Sequence, residues 1–128
     1  MAVIGLGLDL VDVEEAARLL ARWGDRLLNR LLTDAERAYV AGSANPPQHL
    51  AVRLAAKEAV YKALQSLPEA REVRWREIEV IRLDGGRPTV RLHGLAQQIT
   101  KQGGVTRVSI SLSHTRHSAG AVAILEVN

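Results

Sequence analysis

The order of its segments predicts an α+β fold for this 128-residue chain. An opening apolar strand is followed by several helical stretches, a hairpin, one more helix and a closing pair of strands. That succession lacks the regular βαβ alternation of a parallel sheet. The longest helical stretch lies in the middle, and the later strands are paired across short polar turns. The expected architecture is one long central helix and shorter helices packed on a mainly antiparallel sheet. All of it fits one domain over residues 1–128, a length that supports one core and not two.

Val3 to Leu8 is an apolar run with Gly5 and Gly7, read as a buried strand that ends at Asp9. Glycine inside a strand lets another backbone or a ligand come close. From Asp12 to about Trp23 the pattern is helical, with Asp12, Glu14 and Glu15 at the positive end of the helix dipole;. Gly24 breaks that helix, and a second short one runs to about Leu32. Thr33 and Glu36 form the T-x-x-E capping box of a third, which ends near Gly42;. Gly42 to Pro47 reads as a loop by composition.

The central helix is expected from about Gln48 to Leu67, stopped by Pro68, with PEARE as an exposed connection. Its core, RLAAKEAVYKAL from Arg53 to Leu64, contains no Pro or Gly. At about 100° per residue, Glu58 and Lys62 share one face while Arg53 and Lys57 share another, roughly opposite. Apolar residues fill both gaps. The pattern predicts a largely buried helix whose charges meet an ion, an anionic ligand or a subunit interface. Glu77–Leu83 and Pro88–His93 alternate as a hairpin around Asp84-Gly85-Gly86;. A helix over Gly94–Gln102 closes at Gly103-Gly104, and strands follow at Val105–Leu112 and Ala119–Val127;.

Composition removes several function classes. Without Cys, no disulfide, thiol nucleophile or Cys-based metal site exists;, and this absence is compatible with the cytosol. No apolar run is long enough to span a bilayer, and the start turns acidic instead of carrying a basic signal region. The net charge of +3 points to an anionic partner: nucleic acid, a phosphorylated metabolite or an acidic protein;. With 3% aromatics and no Phe, stacking platforms for single-stranded nucleic acid are nearly absent;. No Walker, Rossmann, zincin or nucleophile-elbow pattern occurs.

Three places combine polar groups with apolar surroundings: Asp9, the Glu58/Lys62 face, and Ser113–Ser118 with His114. Two carboxylates with Lys, Arg and His suit a hard cation on phosphate oxygens. Each signal also has a plainer reading. Asp9 would cap a turn, Glu58 would pair with Lys62 one turn on, and His114 would bond to loop backbone. Arg18, Arg22, Arg26 and Arg30 recur every four residues, as a solvated face or as a docking stripe for an acidic surface.

GLGLDLVDVEEAARL, RLAAKEAVYKAL and VSISLSHTRHSAGAVAILE, in this order, resemble the three motif regions of holo-acyl-carrier-protein synthases, the small 4′-phosphopantetheinyl transferases. DRLLNRLLTDAE, WREIEV and the hairpin GRP match between them, so the resemblance spans nearly the whole chain. It implies transfer of the 4′-phosphopantetheine arm of coenzyme A to a carrier-protein serine, releasing adenosine 3′,5′-bisphosphate. It implies Mg²⁺ held by Asp9 and Glu58, with Glu58 as general base and Lys62 at the leaving group. It also implies phosphate contacts from Arg53, Lys62, His114 and Thr115, with Arg87 and Pro88 near the nucleotide. The acyl carrier protein would dock on Arg18, Arg22 and Arg26. A cytoplasmic homotrimer with sites at subunit junctions is the family's form, with neither nucleic acid nor membrane as partner.

Three departures stand out. Gln65-Ser66-Leu67-Pro68 replaces the family's Gly-rich turn after the central helix. GSANPPQH supplies only His49 where relatives place basic residues, which leaves more of the 3′-phosphate to Arg53. Glu15 stands where an Arg commonly meets the acidic carrier, so Arg18, Arg22 and Arg26 would compensate. A catalytically silent relative that binds coenzyme A or a carrier without transfer is the second reading. A basic nucleic-acid-binding protein is the third, supported by charge alone.

Overall fold

The computed structural model describes residues 1–83 and 85–128. Strand β1 (Ala2–Asp12) leads into helices α1 (Val13–Leu31), α2 (Asp34–Ala41) and α3 (Pro46–Leu64). Two short 3-10 turns follow at Ala70–Glu72 and Trp75–Glu77, then the hairpin β2 (Ile78–Arg82) and β3 (Pro88–Leu92). Helix α4 (Gly94–Gln102) precedes β4 (Val105–His114) and β5 (Ser118–Val127). One sheet has the order β1-β5-β4 and the other is the β2-β3 hairpin, both antiparallel. The expected α+β fold with a long central helix is the one observed.

Helix α3 lies against the inner face of the larger sheet, where Ala119, Ala121, Ala123 and Leu125 of β5 are buried. Its own Ala55, Ala59 and Ala63 are also buried. Small side chains on both sides bring the backbones together. At Gly5 and Gly7 the approach is closest: a Cβ there would fall on the carbonyl oxygens of Ala63 and Ala59. From Gly5 on, past an irregularity between Val3 and Gly5, the odd positions of β1 face α3, while Leu6, Leu8 and Leu10 on the even positions stay exposed on the outer face.

A polar cluster locks the other side of α3. Lys57 is fully buried and donates from Nζ to Glu36 Oε1 at 2.7 Å, to the Trp75 carbonyl at 2.9 Å and to the Ile78 carbonyl. Glu36 also completes the predicted capping box with Thr33, and its Oε2 accepts from Val80 N at 3.0 Å. Thr33 Oγ1 donates to Glu79, which faces His93 Nε2 at 2.9 Å. Lys57, one of the two cations expected on that face, therefore meets an internal carboxylate. Burial lowers the Lys57 pKa, and Glu36 opposes that shift.

Several boundaries differ from the sequence reading. α3 starts at Pro46, inside the expected loop, because Pro46 and Pro47 occupy its first turn and Asn45 caps Gln48 N at 3.3 Å;. It ends at Leu64, three residues before the expected stop. The expected break at Gly24 is present inside the α1 span, where non-helical dihedrals (φ 51°, ψ −128°) separate two helical segments. PEARE is not wholly exposed, since Ala70 is 2% exposed. β1, β4 and β5 are longer than expected, which reduces the Ser113–Ser118 segment to a tight turn at 115–117. Of the predicted 84–86 turn, Asp84 lies outside the described residues; Gly85 and Gly86 take positive φ.

Two stability predictions follow from this packing. Gly7→Val forces β1 off α3 and lowers unfolding free energy by about 3 kcal/mol, measured as a drop in the urea midpoint. Lys57→Met strands the buried Glu36 carboxylate at a cost of about 3–5 kcal/mol, read the same way.

Candidate active site

Asp9 is inside β1, paired with Ala121 of β5, so it neither ends the strand nor caps a helix. Its odd position turns the carboxyl toward α3 beside Gly5 and Gly7, where no side chain stands between sheet and helix. Lys62, near the end of α3, donates to Asp9 Oδ1 at 3.1 Å and to the Leu8 carbonyl at 2.9 Å. The simple helical pair of Glu58 with Lys62 is therefore not what forms; Lys62 reaches across to β1.

Glu58 makes no side-chain hydrogen bond or ion pair among the described residues. Burial pushes its pKa up, the Asp9 charge pushes in the same direction, and Lys62 only partly offsets them. Glu58 thus has a higher proton affinity than a free carboxylate and no competing partner. Among the described residues no cluster of three His, Cys, Asp or Glu exists. The chain offers two carboxylates and leaves the other positions of an octahedral ion to phosphate oxygens and water, the usual arrangement for Mg²⁺.

A second polar cluster lies on the opposite side of α3. A cleft of about 220 Å³ is lined by Gln48, His49, Val52, Arg82, Pro88 and His114. Arg53 is 3% exposed, stacks 4.2 Å over Tyr39, and has its Nε shielded without a partner. Arg82 lies 5.5 Å from the same ring, and His49 meets it edge-on. Burial lowers the His49 pKa, and Arg53, Arg82 and His114 lower it further, as expected where cations converge. An orphaned guanidinium donor in such surroundings suits an anion.

Thr115 forms the turn after His114, with its N donating to the Ser118 carbonyl at 2.8 Å and its Oγ1 accepting from Ser118 N at 3.0 Å. Arg87 and Pro88 border an adjoining hollow with Arg107. The sequence reading had missed Arg82 and Tyr39. Arg82 closes β2 and Tyr39 sits on α2; only their convergence on Arg53 reveals them. On α1, Arg18 is held by Glu14 and Glu15 at 3.5 and 2.9 Å, while Arg22 stacks 5.0 Å from Trp23. Asp9, Glu58 and Lys62 thus come together, Arg53 and His114 share the other cluster, and one chain does not merge the two.

A cationic cleft and an acidic pair beside a lysine, arranged around one buried helix, are the apparatus of a phosphate-handling protein. The chain belongs to the 4′-phosphopantetheinyl transferase superfamily, which it matches over residues 5–122. Its relatives there include the holo-[acyl-carrier-protein] synthase of Koribacter versatilis, 42% identical over 97% of this chain and 98% of the relative. Among solved structures, the Neisseria meningitidis holo-[acyl-carrier-protein] synthase is similar at a TM-score of 0.88 and 28% identity, covering 98% of this chain and 99% of that one. The Bacillus anthracis holo-(acyl-carrier-protein) synthase, solved in complex with CoA (3′,5′-ADP), is similar at 0.78 and 27%, covering 98% of each chain. Among the described residues, no helix is long and apolar enough to cross a membrane.

The raised Glu58 pKa has a stability consequence with a fixed sign. Above its folded-state pKa the ionised carboxylate opposes folding, and below the unfolded value near 4.5 the effect is gone;. Glu58→Gln is therefore more heat-stable than the parent at pH 7, and the gap closes as pH falls through the folded pKa toward 4. Thermal melts of both proteins across that range check it.

Proposed function

We propose that the chain transfers the 4′-phosphopantetheine group of coenzyme A to a serine of an apo acyl carrier protein. Holo carrier and adenosine 3′,5′-bisphosphate are the products. The observation that carries this reading is the meeting of Asp9 with Glu58 and Lys62, in a chain of this family. Glu58 and Asp9 would hold Mg²⁺, which supplies charge neutralisation at the diphosphate. Glu58 receives the proton of the carrier serine hydroxyl, a role suited to an unpartnered carboxylate of raised proton affinity. Lys62, anchored on Asp9 and the Leu8 carbonyl, presents its ammonium to the leaving phosphate oxygen;. Arg53 and His114 bind phosphate, with Thr115 at the turn beside them and Arg87 and Pro88 toward the nucleotide. Arg18, Arg22 and Arg26 on α1 face the carrier.

The reading includes a single domain in the cytoplasm that works as a homotrimer. Two observations support the assembly. The exposed Leu6, Leu8 and Leu10 line up beside Val122 and Ile124 on the outer sheet face, an apolar stripe of the sort that interfaces cover. Glu58 and Arg53 diverge around α3, so the acidic pair of one protomer needs the cationic cleft of another to enclose one coenzyme A.

Incubation with coenzyme A, Mg²⁺ and apo carrier, followed by mass spectrometry of the carrier, tests the reaction. Wild type adds the pantetheine arm. Asp9→Ala and Glu58→Ala lower turnover by at least about a hundredfold while circular dichroism stays native. Near-parental turnover in either variant ends this site assignment, and an unmodified carrier with wild type makes the chain a silent binder.

A further inference from the structure

The buried Lys57–Glu36 pair takes no part in the chemistry, yet it lies directly beneath the cationic cleft. Among the described residues, β2 pairs with a strand on one edge alone, that of β3. Its other edge is closed by side chains. Lys57 Nζ donates to the Ile78 carbonyl, and Glu36 Oε2 accepts from Val80 N at 3.0 Å. Positions 78 and 80 present their backbone groups to the same edge, as a neighbouring strand would require. Glu36 Oε1 meanwhile accepts from Lys57 Nζ at 2.7 Å and from Thr33 N at 2.9 Å. One ion pair thus fastens α2, α3 and β2 together at a single point, with Glu36 2% and Lys57 0% exposed.

Each of these three elements carries one side of the cleft, at a spacing that returns to the same face. Arg53 is one turn before Lys57 on α3, and Tyr39 is one turn after Glu36 on α2;. Arg82 is two residues after Val80 on β2, on the face that buries Ile78 and Val80;. They meet in the next layer, where Arg53 lies 4.2 Å and Arg82 5.5 Å from the Tyr39 ring. Neither guanidinium makes an ion pair among the described residues. Their hydrogen bonds are local: Arg53 donates to the His49 carbonyl on its own helix, and Arg82 to the Gly86 carbonyl on its own hairpin. Thr33 also reaches Glu79, but that link touches the opposite face of β2 and stops short of α3. Two cations against one ring repel each other, and the bonds that hold their elements in register lie in the layer below.

We propose that Glu36 and Lys57 are positioning residues for the anion-binding cleft: by closing the free edge of β2 they hold Arg82 and Tyr39 against Arg53. This deepens the transferase reading and rests on it for the ligand, coenzyme A. The acidic pair is held separately, by the seating of β1 on α3 and by the Lys62 bonds to Asp9 and the Leu8 carbonyl. Loss of the buried pair therefore loosens recognition of the anion more than it disturbs the chemistry.

The test compares wild type with K57M/E36Q, which removes both charges together and so strands neither; thermal melts establish that it folds. Binding of adenosine 3′,5′-bisphosphate, read by calorimetry without turnover, weakens about tenfold or more, the worth of one charge-assisted hydrogen bond. KM for coenzyme A rises likewise while kcat changes by less than about threefold, the pattern of lost binding with chemistry kept. I99V, a core trim on α4 that also lowers stability, leaves nucleotide affinity and KM unchanged, which separates positioning from stability. E36D keeps the charge but shortens its reach by one methylene; it gives a smaller loss of affinity and serves if the double variant does not fold. Unchanged nucleotide affinity in folded K57M/E36Q, or in E36D where the double variant does not fold, overturns the proposal. A fall in kcat as large as the rise in KM also overturns it, by placing the pair behind the acidic site as well. So does a wild type that binds neither adenosine 3′,5′-bisphosphate nor coenzyme A. Nucleotide affinity lost in the variants, with a carrier that wild type never modifies, upholds the positioning role and ends the transferase reading alone.

Discussion

The close seating of α3 on β1 is the constraint on which the rest of the molecule depends. Gly5 and Gly7 present bare backbone to the Ala63 and Ala59 carbonyls, and alanines on α3 and β5 keep the layer thin. A strand and a helix this close leave no room for side chains between them until Asp9, where the first polar group appears. Lys62, 53 positions away in sequence, reaches Asp9 because nothing bulkier intervenes. The acidic pair is thus a product of small residues. The chemistry begins where the glycines stop.

Helix α3 also distributes charge in three directions. Lys57 points inward and is satisfied by Glu36 and two backbone carbonyls. Glu58 and Lys62 point to β1, and Arg53 to Tyr39 and the cationic cleft. Burying Lys57 is expensive, and a hydrophobic replacement of the whole pair often folds as well or better. What the pair supplies is a fixed rotation of the helix. Its bonds to the start of α2, the Trp75 turn and β2 tie α3 down on its third side. The two functional faces are then aimed by a contact that belongs to neither.

Much of this was legible in the sequence, for local reasons. The alternation of strands, the Thr33–Glu36 box and the breaker-free centre of α3 are short-range signals, and each became the element it predicted. The Pro46-Pro47 pair misled because proline marks loops and helix starts alike; Asn45 decides in favour of a start;. Glu36 was readable as a cap but not as the partner of Lys57, since that pairing spans 21 positions and depends on how α2 folds back. Arg82 and Tyr39 were invisible for the same reason. Asp9 and Glu58 were candidates by residue type, yet the crossing of Lys62 to β1 came only from the packing.

Both half-sites hold like charges together, and this explains their character. Burial and then Asp9 raise the proton affinity of Glu58, while burial and then Arg53, Arg82 and His114 lower that of His49. The raised Glu58 pKa therefore works against folding at neutral pH and the lowered His49 pKa does so in acid, a common condition of sites poised for charged ligands;. A ligand that binds the folded state alone returns stability in proportion to its saturation. A diphosphate ester brought in with a divalent cation carries both signs at once, the cation for the carboxylates and the anion for the guanidiniums. The repulsion within each cluster then becomes attraction in the complex. The same reasoning limits what α3 tolerates: neutralising Glu58 or Arg53 from within would relax the empty protein and remove the charge its ligand is needed to meet.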